Sequence, residues 1–462
     1  MRNWKTFLII CFTFIFIPVY GQGGQSEQLA QLLNNGKYFE AKELYQSISN
    51  IIDFDTDLYY KFKMAIFMNR KDSVAIYTEK MLADYPELTG SQTIDFYAML
   101  FDTYISLKNY EKGMYTYLRM KEHLEENPYD MGKDDLISWK NNLENFLSRL
   151  KSLSSQPPIT LRRNKTKKSI KIKENTQLAF EATFNGMPQQ AMFDTGFNAA
   201  YCVLNRGTAE KMGLSYDTSK TETGTLNNME MPVIQTIIDS IEIGNILLYH
   251  VPTIIYEYDI TPLLPDSIKN DSVEMERFKS AKNPLTNPIL GLPLMQLIGK
   301  IQIDYKNKKI SFPNPDRHVD ATKTPNLFVW YNMLYAHLKL NGQDFTGQLD
   351  SGDLVYLDID SMFYDRHREY IPIDTVTQKE PYNFAMIHQV KTNIPYQIPD
   401  KPIIVFENKQ MQIPAESTPK ILSIRSIWPV ETFDGVIGYE FFRRIGKKIL
   451  LDLDNMRLEI IK

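Results

Sequence analysis

The amino-acid sequence predicts a chain of α and β parts, in which an N-terminal helical-hairpin domain precedes an all-β region made of two related lobes. In the first third, apolar residues recur three and four positions apart, as at Leu29, Leu32 and Leu33, which is the period of one face of an α-helix. From Ser169 onward, apolar and polar residues alternate in short runs typical of half-buried strands. The landmarks of this second part occur twice, so a helical unit followed by two β lobes is predicted.

Length and composition bound the possibilities. The 462 residues suffice for two to four structural units at a prior of about 150 residues each. An apolar fraction of 43%, which includes 12% aromatic residues, is enough for sizeable cores. The net charge of −4 and the pI near 6.0 give no electrostatic footprint for nucleic acid or for an anionic membrane surface. We therefore expect no nucleic-acid partner.

Residues 1–21 are predicted to be a secretory signal peptide. They combine a basic start at Arg2 and Lys5 with an uncharged apolar run from Phe7 to Val19, and they end at the small residue Gly21. The run is shorter than the roughly 20 residues of a membrane span, although an uncleaved anchor is the alternative interpretation. The expected protein is exported, periplasmic or secreted, with no membrane span after signal cleavage.

Neither a metal nor a cofactor is expected. Outside the signal peptide Cys202 is the only cysteine, so it forms no intramolecular disulfide, and its apolar surroundings predict a core position. The six histidines are scattered without the paired helical spacing of a zinc site. The sequence also lacks a glycine-rich phosphate loop and a nucleophile elbow.

Residues 22–153 are predicted to form the helical domain, and they contain a loose internal repeat. Its copies, separated by 34 and then 38 residues, are Lys37-Tyr38-Phe39-Glu40-Ala41, Lys71-Asp72-Ser73-Val74-Ala75 and Asn109-Tyr110-Glu111-Lys112-Gly113. A small residue closes each copy, and the spacing resembles tetratricopeptide helical hairpins, in which small residues let paired helices approach closely. A plain helical bundle is the alternative. The domain would bind a peptide or partner protein, or act as a spacer.

Residues 154–173 are predicted to be a basic linker between the domains. Ser154, Ser155, Pro157 and Pro158 are turn formers, and five basic side chains follow without an apolar period, namely Arg162, Arg163, Lys165, Lys167 and Lys168. A solvated linker is the simple interpretation. A segment that is cut during maturation is the alternative.

The predicted lobes span residues 174–320 and 321–462, and each begins with a hairpin that leads to an aspartate. In the first lobe the turn Asn185-Gly186 precedes Asp194-Thr195-Gly196, and in the second Asn341-Gly342 precedes Asp350-Ser351-Gly352. The distance from the turn asparagine to the aspartate is nine residues in both copies. This equal spacing indicates a duplicated lobe.

The ends of the lobes match as well. Ile289-Leu290-Gly291 and Val436-Ile437-Gly438 are each followed, eight residues after their glycine, by another glycine, Gly299 or Gly446. Each lobe then gives a strand, an Asp/Asn turn and a final strand, at Ile301 to Phe312 and at Ile449 to Ile461. Two all-β lobes are therefore the simplest fold.

With these motifs, about residues 174 to 462 resemble the aspartic peptidase family, as a retropepsin-like or pepsin-like fold with two lobes in one chain. The resemblance implies a two-lobed acid-protease fold with Asp194 and Asp350 as the catalytic dyad. It also implies that the two aliphatic-aliphatic-glycine motifs lie beneath the aspartates. Supporting roles fall to Thr195 and Ser351, whose hydroxyls would hydrogen-bond between the lobes, and to Gly196 and Gly352, which would allow tight loops.

The resemblance further implies a hairpin flap over the substrate. The candidate is the turn Leu226-Asn227-Asn228-Met229, for which an ordinary hairpin loop is the alternative. One departure from the family pattern is Asp353, directly after the second motif, because a third carboxylate near the dyad would raise the cost of ionising it or would point to solvent.

The chemistry of such a pair predicts an exported aspartic endopeptidase with a peptide or protein substrate. Two adjacent carboxyl groups retain one proton between them, so that one acts as base toward a water molecule and the other as acid toward the peptide carbonyl. Two alternatives stay open: an inactive two-lobed protein that binds peptides, and a helical-repeat interaction protein for which the β lobes are a platform.

Overall fold

The computed structural model describes residues 24–127, 132–164, 169–173, 178–218, 221–226, 229–256, 272, 287–315, 324–372, 382–386, 389–394, 401–413, 420–424 and 434–461. The predicted signal peptide, residues 1–21, lies outside the described residues. The chain divides into two compact units. The first is Met1–Pro158 together with Phe328–Tyr331, and the second is Ile159–Leu327 together with Asn332–Lys462.

The first unit is helical, as the sequence predicts. Its α-helices are α1 (Gly24–Asn34), α2 (Tyr38–Ile48), α3 (Phe54–Phe67), α4 (Lys71–Asp84), α5 (Pro86–Thr89), α6 (Thr93–Ser106), α7 (Tyr110–Glu126) and α8 (Lys133–Ser155). Side-chain caps fix two of the helix starts, since Asp53 accepts the Thr56 N–H at 2.7 Å and Asn109 accepts the Lys112 N–H at 3.2 Å. None of the described helices is both long enough and apolar enough to cross a membrane.

The repeat predicted in this unit corresponds to one turn that occurs three times, before α2, α4 and α7. Each turn has a residue with positive φ, and the next N–H bonds to a carbonyl five positions back, which closes the preceding helix as in a Schellman motif. The positive-φ residues are Gly36 (65°), Asn69 (52°) and Lys108 (58°). The bonds run from Lys37 to Leu32, from Arg70 to Ala65 and from Asn109 to Tyr104, at 2.8, 2.8 and 2.9 Å.

The structure shifts the second copy of the repeat by one residue. The small residue predicted to close each copy lies in the first turn of the second helix of its pair. In the first and third copies, the N–H of this small residue donates to the carbonyl of the residue before the helix, from Ala41 to Lys37 and from Gly113 to Asn109. The equivalent bond in the middle copy joins Val74, and not Ala75, to Arg70. The helical hairpins are therefore present, and their relation to tetratricopeptide repeats stays a prediction.

The core of the helical unit includes a segment from far along the chain, Phe328–Tyr331. The Phe328 ring stacks on Tyr38 with ring centroids 5.6 Å apart, and the Trp330 ring lies 5.3 Å from that of Phe67. A side chain at Gly36 would meet the Trp330 ring at 2.9 Å. We predicted that residues 321–462 belong wholly to the second β lobe. The structure instead places these four residues with the helical unit, because the rings of Phe328 and Trp330 are buried among its helices.

The strands of the chain, numbered in order, are β1 (Thr160–Arg163), β2 (Ile170–Lys171), β3 (Ala179–Phe184), β4 (Met187–Asp194), β5 (Cys202–Asn205), β6 (Thr221–Leu226), β7 (Met229–Ile243), β8 (Ile246–Tyr256), β9 (Ile289–Gly291), β10 (Lys300–Asp304), β11 (Lys309–Ser311), β12 (Leu327–Trp330), β13 (Met333–Leu340), β14 (Gln343–Asp350), β15 (Leu357–Asp360), β16 (Tyr382–Met386), β17 (Gln389–Ile394), β18 (Ile403–Phe406), β19 (Lys409–Gln412), β20 (Lys420–Ile424), β21 (Gly435–Gly438), β22 (Lys448–Asp452) and β23 (Arg457–Ile460). Among the described residues of this region, four short helices accompany them: α9 (Arg206–Lys211), α10 (Leu292–Ile298), α11 (Ser361–Arg366) and α12 (Tyr439–Ile445).

The two lobes of the β unit share one strand order, so the fold is the predicted two-lobed all-β fold. The sheet of lobe 1 contains the sequence β6-β7-β8-β5-β9-β4-β3, and the sheet of lobe 2 contains β16-β17-β20-β15-β21-β14-β13. The parallel pairs correspond as well. The pair β4 and β9 of lobe 1 matches β14 and β21 of lobe 2, and the pair β5 and β8 of lobe 1 matches β15 and β20 of lobe 2.

The lobes differ where lobe 1 has one long strand. Strand β7 pairs with both β8 and β3, whereas in lobe 2 these pairings belong to two shorter strands, β17 with β20 and β18 with β13. Pro402 stands directly before β18, as expected for a residue that lacks the N–H needed to continue a sheet. The prolines at 381, 395, 399 and 414 lie outside the described residues.

The turns at the start of the lobes are equivalent in geometry. Asn185 and Asn341 have positive φ values of 47° and 49°. Each donates its N–H to a distant carbonyl, Asn185 to Ser240 and Asn341 to Ile403, at 2.9 and 2.8 Å. Each side-chain oxygen also accepts the N–H of that same distant residue. The predicted hairpin turns therefore also anchor a second connection in their lobe.

A third sheet, with order β2-β11-β10-β22-β23, joins the ends of the two lobes. Its centre is the antiparallel pair β10 and β22, where Lys300 stands opposite Asp452. The Lys300 Nζ lies 3.2 Å from the Asp452 Oδ2, and both side chains are buried. This ion pair therefore ties lobe 1 to lobe 2 in a region that excludes water.

The segment predicted to be a linker belongs in part to these sheets. Strand β1 pairs with β8, with Thr160 opposite Tyr249, and β2 pairs with β11. The Arg163 guanidinium donates to the carbonyls of Ile298 and Phe312 at 2.5 and 3.1 Å. The solvated-linker interpretation is therefore wrong for Thr160–Arg163, whose basic side chains lie on an edge strand, where charge is common.

Candidate active site

The two aspartates occupy equivalent positions at the ends of equivalent strands. Asp194 ends β4 and stands in parallel register beside Gly291, and Asp350 ends β14 beside Gly438. The aliphatic residues that precede these glycines, Ile289, Leu290, Val436 and Ile437, are all buried beneath the loops. Each aspartate therefore ends a strand that pairs with a buried strand of the same lobe.

The two carboxyl groups meet. The side chains of Asp194 and Asp350 interact directly, and this interaction acts to lower the pKa of Asp194 and to raise that of Asp350. Each carboxylate also accepts two N–H groups of its own loop. Gly196 and Phe197 donate to the Asp194 Oδ1 at 2.8 and 3.2 Å.

The second loop repeats this arrangement. Gly352 and Asp353 donate to the Asp350 Oδ1 at 2.8 and 3.2 Å. One oxygen of each carboxyl is therefore fixed by backbone, which leaves the other oxygens to contact each other or a ligand.

Glycine is required after each Asp-Thr/Ser pair because the loops cross closely. A Cβ at Gly196 would overlap the Asp350 carboxyl, and a Cβ at Gly352 would overlap the Asp194 carboxyl. Neither position offers a flexible neighbour that could move without displacing a member of the pair. The glycines thus allow the two carboxyl groups to approach.

Thr195 and Ser351 join the two loops through four hydrogen bonds. The Thr195 N–H donates to the Ser351 Oγ at 3.0 Å, and the Ser351 N–H donates to the Thr195 Oγ1 at 2.9 Å. In addition, the Thr195 hydroxyl donates to the Leu349 carbonyl at 2.6 Å and the Ser351 hydroxyl to the Phe193 carbonyl at 3.1 Å. Both side chains are buried, so these bonds do not compete with water.

Burial and mutual repulsion give the pair the proton that its chemistry needs. Burial is the largest cause that raises the pKa of Asp194 and of Asp350 above the usual range. For Asp350 the neighbouring Asp194 charge adds to burial and holds its pKa well above that range. The nearby Asp353 charge raises the pKa of both carboxyls. The pair therefore retains one proton to higher pH than an isolated carboxyl group would.

The flap candidate lies on a hairpin whose strands are described. β6 pairs with β7, with Leu226 opposite Met229, and the tip residues Asn227 and Asn228 lie outside the described residues. Lobe 2 has a hairpin in the equivalent place, since β16 pairs with β17 and Met386 stands opposite Gln389. We did not predict this second hairpin, although the duplication of the lobes is a signal that points to it.

The remaining sequence candidates take no part in this site. Cys202 is fully buried in β5, and burial raises the pKa of its thiol to about 12. In the described part of the chain, no group of three or more His, Cys, Asp and Glu side chains could hold a metal ion.

The β unit is thus an all-β fold of two equivalent lobes, and its two crossing loops bring two aspartates together at the junction of the lobes. Residues 180–264 match the model of a family described as "gag-polyprotein putative aspartyl protease". This match lies in lobe 1, includes Asp194-Thr195-Gly196, and supports a relation to the aspartic peptidases.

Among solved structures, the chain is similar to a retropepsin-like aspartic protease from Rickettsia conorii. The identity is 17%, the similarity covers 34% of this chain and 96% of that chain, and the TM-score is 0.22. No curated protein matches the sequence.

Proposed function

We propose that the protein is an exported aspartic endopeptidase that hydrolyses peptide bonds with a water molecule activated between Asp194 and Asp350. The observation that carries the proposal is that the carboxyl groups of Asp194 and Asp350 interact directly where the loops of the two lobes cross, since acid and base must act on one peptide bond from a shared site.

The proposed mechanism follows from the position of the shared proton. Asp194 is the ionised member and takes a proton from the water. Asp350 holds the proton and donates a hydrogen bond to the carbonyl oxygen of the peptide, which stabilises the negative charge that develops there. The water oxygen attacks the carbonyl carbon and gives a tetrahedral intermediate. Asp194 then gives the proton that it took from the water to the leaving nitrogen, the C–N bond breaks, and no covalent bond to the enzyme forms.

The proposal assigns supporting roles to the residues around the pair. Thr195 and Ser351 hold the two loops at a fixed separation through their four hydrogen bonds. Gly196 and Gly352 leave room for the opposite carboxyl. The hairpin of β6 and β7 is the proposed flap, and the helical unit is proposed to bind a partner or to position the substrate.

The test measures cleavage of a mixed peptide library from acid to neutral pH by the full chain without residues 1–21. Wild type is expected to cleave, and Asp194→Asn and Asp350→Asn are expected to lose cleavage while keeping their circular dichroism spectra. Glu369→Gln is the control, because it removes one negative charge from an exposed position in lobe 2. Cleavage that persists in Asp350→Asn would rule out the shared pair. Peptide binding without cleavage would favour the inactive, peptide-binding alternative.

Export is a separate part of the proposal and has its own test. The full chain is produced in a bacterial host, the cells are fractionated, and the N-terminus of the exported form is sequenced. A mature N-terminus directly after the region of Gly21 is expected. A chain that stays in the membrane fraction with residues 1–21 attached would show an uncleaved anchor instead.

A further inference from the structure

We propose that the Asp353 carboxylate is a substrate-recognition group that binds a basic side chain of the peptide, lysine or arginine, next to the scissile bond. This inference rests on the proposed peptidase function and assigns a substrate class to the same site.

The backbone places Asp353 in the position that Phe197 occupies in lobe 1. Each is the third residue after its aspartate, and each donates its N–H to the Oδ1 of that aspartate at 3.2 Å. The carbonyl of each accepts an N–H from the residue that begins the short helix after the buried glycine. These donors are Leu292 in lobe 1 and Tyr439 in lobe 2, both at 2.7 Å. The two positions therefore share two equivalent hydrogen bonds each and differ in their side chains.

The side chains of Phe197 and Asp353 have different environments. Phe197 is buried in an apolar cluster of lobe 1, where it packs with Met192 and Ile289. Asp353 remains partly exposed, because an ionised carboxylate cannot enter such a cluster without a large loss of hydration. At this position lobe 1 therefore keeps its side chain in its core, whereas lobe 2 leaves a carboxylate accessible beside the pair.

The Asp353 carboxylate has capacity for a further partner. Within the described part of the chain, the hydrogen bond to its side chain is that of the Val355 N–H to Oδ1, at 3.2 Å, and no Lys, Arg or His forms an ion pair with it. By contrast, several acidic side chains of lobe 2 have a cationic partner, such as Asp434 with Arg366 at 2.7 Å. Asp353 is therefore a negative group without a described counter-ion beside the candidate dyad.

Asp353 is also close enough to the pair to interact with it. Its N–H bonds to the Asp350 Oδ1 and its charge raises the pKa of Asp194 and of Asp350, so the three acidic groups lie in one negatively charged region. A cation bound at Asp353 would gain attraction from this region that an exposed carboxylate would not provide. A neutral residue of the same size would gain none of it.

The specificity follows from the asymmetry of the site. A peptide has a direction, and the two sides of the site offer it different groups, so the basic residue is expected on one side of the scissile bond only. Discrimination against a neutral side chain of similar length should reach at least tenfold in kcat/KM, since the site would leave its carboxylate unpaired with the neutral peptide.

The experiment uses two sets of peptides that carry lysine, arginine or glutamine at each position next to the scissile bond. Cleavage and equilibrium binding are measured for wild type, Asp353→Asn, Asp353→Lys and the control Glu369→Gln. Wild type and Glu369→Gln should prefer the basic peptides at one position by at least about tenfold. Asp353→Asn should reduce this ratio to near one, and Asp353→Lys should favour a matched peptide with glutamate.

The outcomes separate this inference from the proposed function. Cleavage without a basic preference, or a preference that Asp353→Asn retains, would overturn the role of Asp353 and leave the peptidase proposal intact. Binding of basic peptides that depends on Asp353, in the absence of any cleavage, would support the recognition role and contradict the peptidase proposal. Thermal midpoints of the variants near that of wild type would show that a lost preference is not lost folding.

Discussion

Thr195 and Ser351 bind each other across the two lobes, because the hydroxyl of each accepts the backbone N–H of the other at 2.9 and 3.0 Å. Each hydroxyl also donates to the carbonyl that precedes the opposite aspartate. The separation of the two carboxyl groups is therefore set by backbone atoms of both loops. The position of one aspartate depends on the lobe that carries the other.

We expect Thr195→Val to weaken both stability and cleavage. The change keeps the shape of the side chain but removes the acceptor of the buried Ser351 N–H and a donor to the Leu349 carbonyl, and a buried polar group left unpaired costs about 1 to 3 kcal/mol. Denaturant unfolding measures the loss. Thr236→Val is the matched control, because it removes one hydroxyl bond at a more exposed site of the same lobe, to the Ser215 carbonyl. Equal losses in the two variants would contradict the joining role of Thr195.

Asp350→Asn is expected to stabilise the fold at neutral pH while it abolishes cleavage. Because burial and the Asp194 charge raise the Asp350 pKa, the folded state binds more protons than the unfolded state as pH rises above the usual aspartate range. Wild-type stability therefore falls with rising pH in that window. Asparagine avoids the cost, so the gain should be largest at pH 7 and should vanish toward pH 3.

The measurement for this prediction is the free energy of unfolding of wild type, Asp350→Asn and Glu369→Gln from pH 3 to pH 8. The control should follow wild type, because Glu369 is exposed. The prediction would be contradicted if Asp350→Asn were less stable than wild type and if this deficit were larger at pH 7 than at pH 3. That result would show that the Asp350 charge does not destabilise the folded state.

Asp353→Asn is expected to move the alkaline limb of the pH profile to lower pH. The Asp353 charge raises the pKa of both members of the pair, so its removal lets the shared proton leave at lower pH. The profile of kcat/KM with a neutral peptide reports this limb for the free enzyme. An unchanged limb in Asp353→Asn, as in Glu369→Gln, would place its charge too far away to matter.

Lys63→Met should stabilise the helical unit at pH 7. The Lys63 side chain is buried, with its Nζ 5.4 Å from the Tyr59 ring centroid and 5.5 Å from that of Trp330, and burial lowers its pKa from 10.5 to about 7. Between these values the unfolded state binds more protons than the folded state, so wild-type stability rises with pH. The advantage of methionine should therefore shrink between pH 7 and pH 10.

Unfolding free energies of wild type, Lys63→Met and Lys61→Met across this range test the prediction. Lys61 is more exposed and pairs with Asp57 on the helix surface, so Lys61→Met is the matched control for removal of a lysine from the same helix. A constant difference between Lys63→Met and wild type from pH 7 to pH 10 would mean that Lys63 has an ordinary pKa.

Trp330→Ala should destabilise the helical unit even though the residue lies far from the helices in sequence. The ring is buried against Phe67 and Gly36, and truncation of a buried aromatic side chain typically costs about 3 to 5 kcal/mol. Hydrogen exchange of α2 and α3 measures the local effect. Tyr115→Ala is the control in the same unit, because its side chain is mostly exposed. Equal exchange in both variants would contradict the placement of Trp330.

The sequence was most informative where structure depends on neighbouring residues. The turns at Asn185-Gly186 and Asn341-Gly342 were predictable because few residues adopt positive φ. Their equal distances to the aspartates then revealed the duplication. The period of the helical region likewise predicted its helices, because each buries one face.

Contacts between distant residues could not be read in the same way. Thr160–Arg163 carries two adjacent basic residues next to a run of turn formers, which predicts a linker, and only its pairing with β8 makes it a strand. The sequence of Phe328–Tyr331 has the pattern of an apolar strand, and this local pattern does not predict that the segment packs against the helices. The pairing of Lys300 with Asp452 depends on how two lobes join, which no local pattern encodes.

Because Phe328–Tyr331 completes the helical unit, the protein should not tolerate every division into two fragments. A chain with two equivalent lobes can be divided between the lobes, and the two fragments can then be mixed to test whether they reassemble. A break after Leu327 would separate the helices from Phe328–Tyr331, which belong to the same compact unit. A break after Tyr331 would keep those residues with their partners, so we expect split versions of the protein to reassemble more readily when they are divided there.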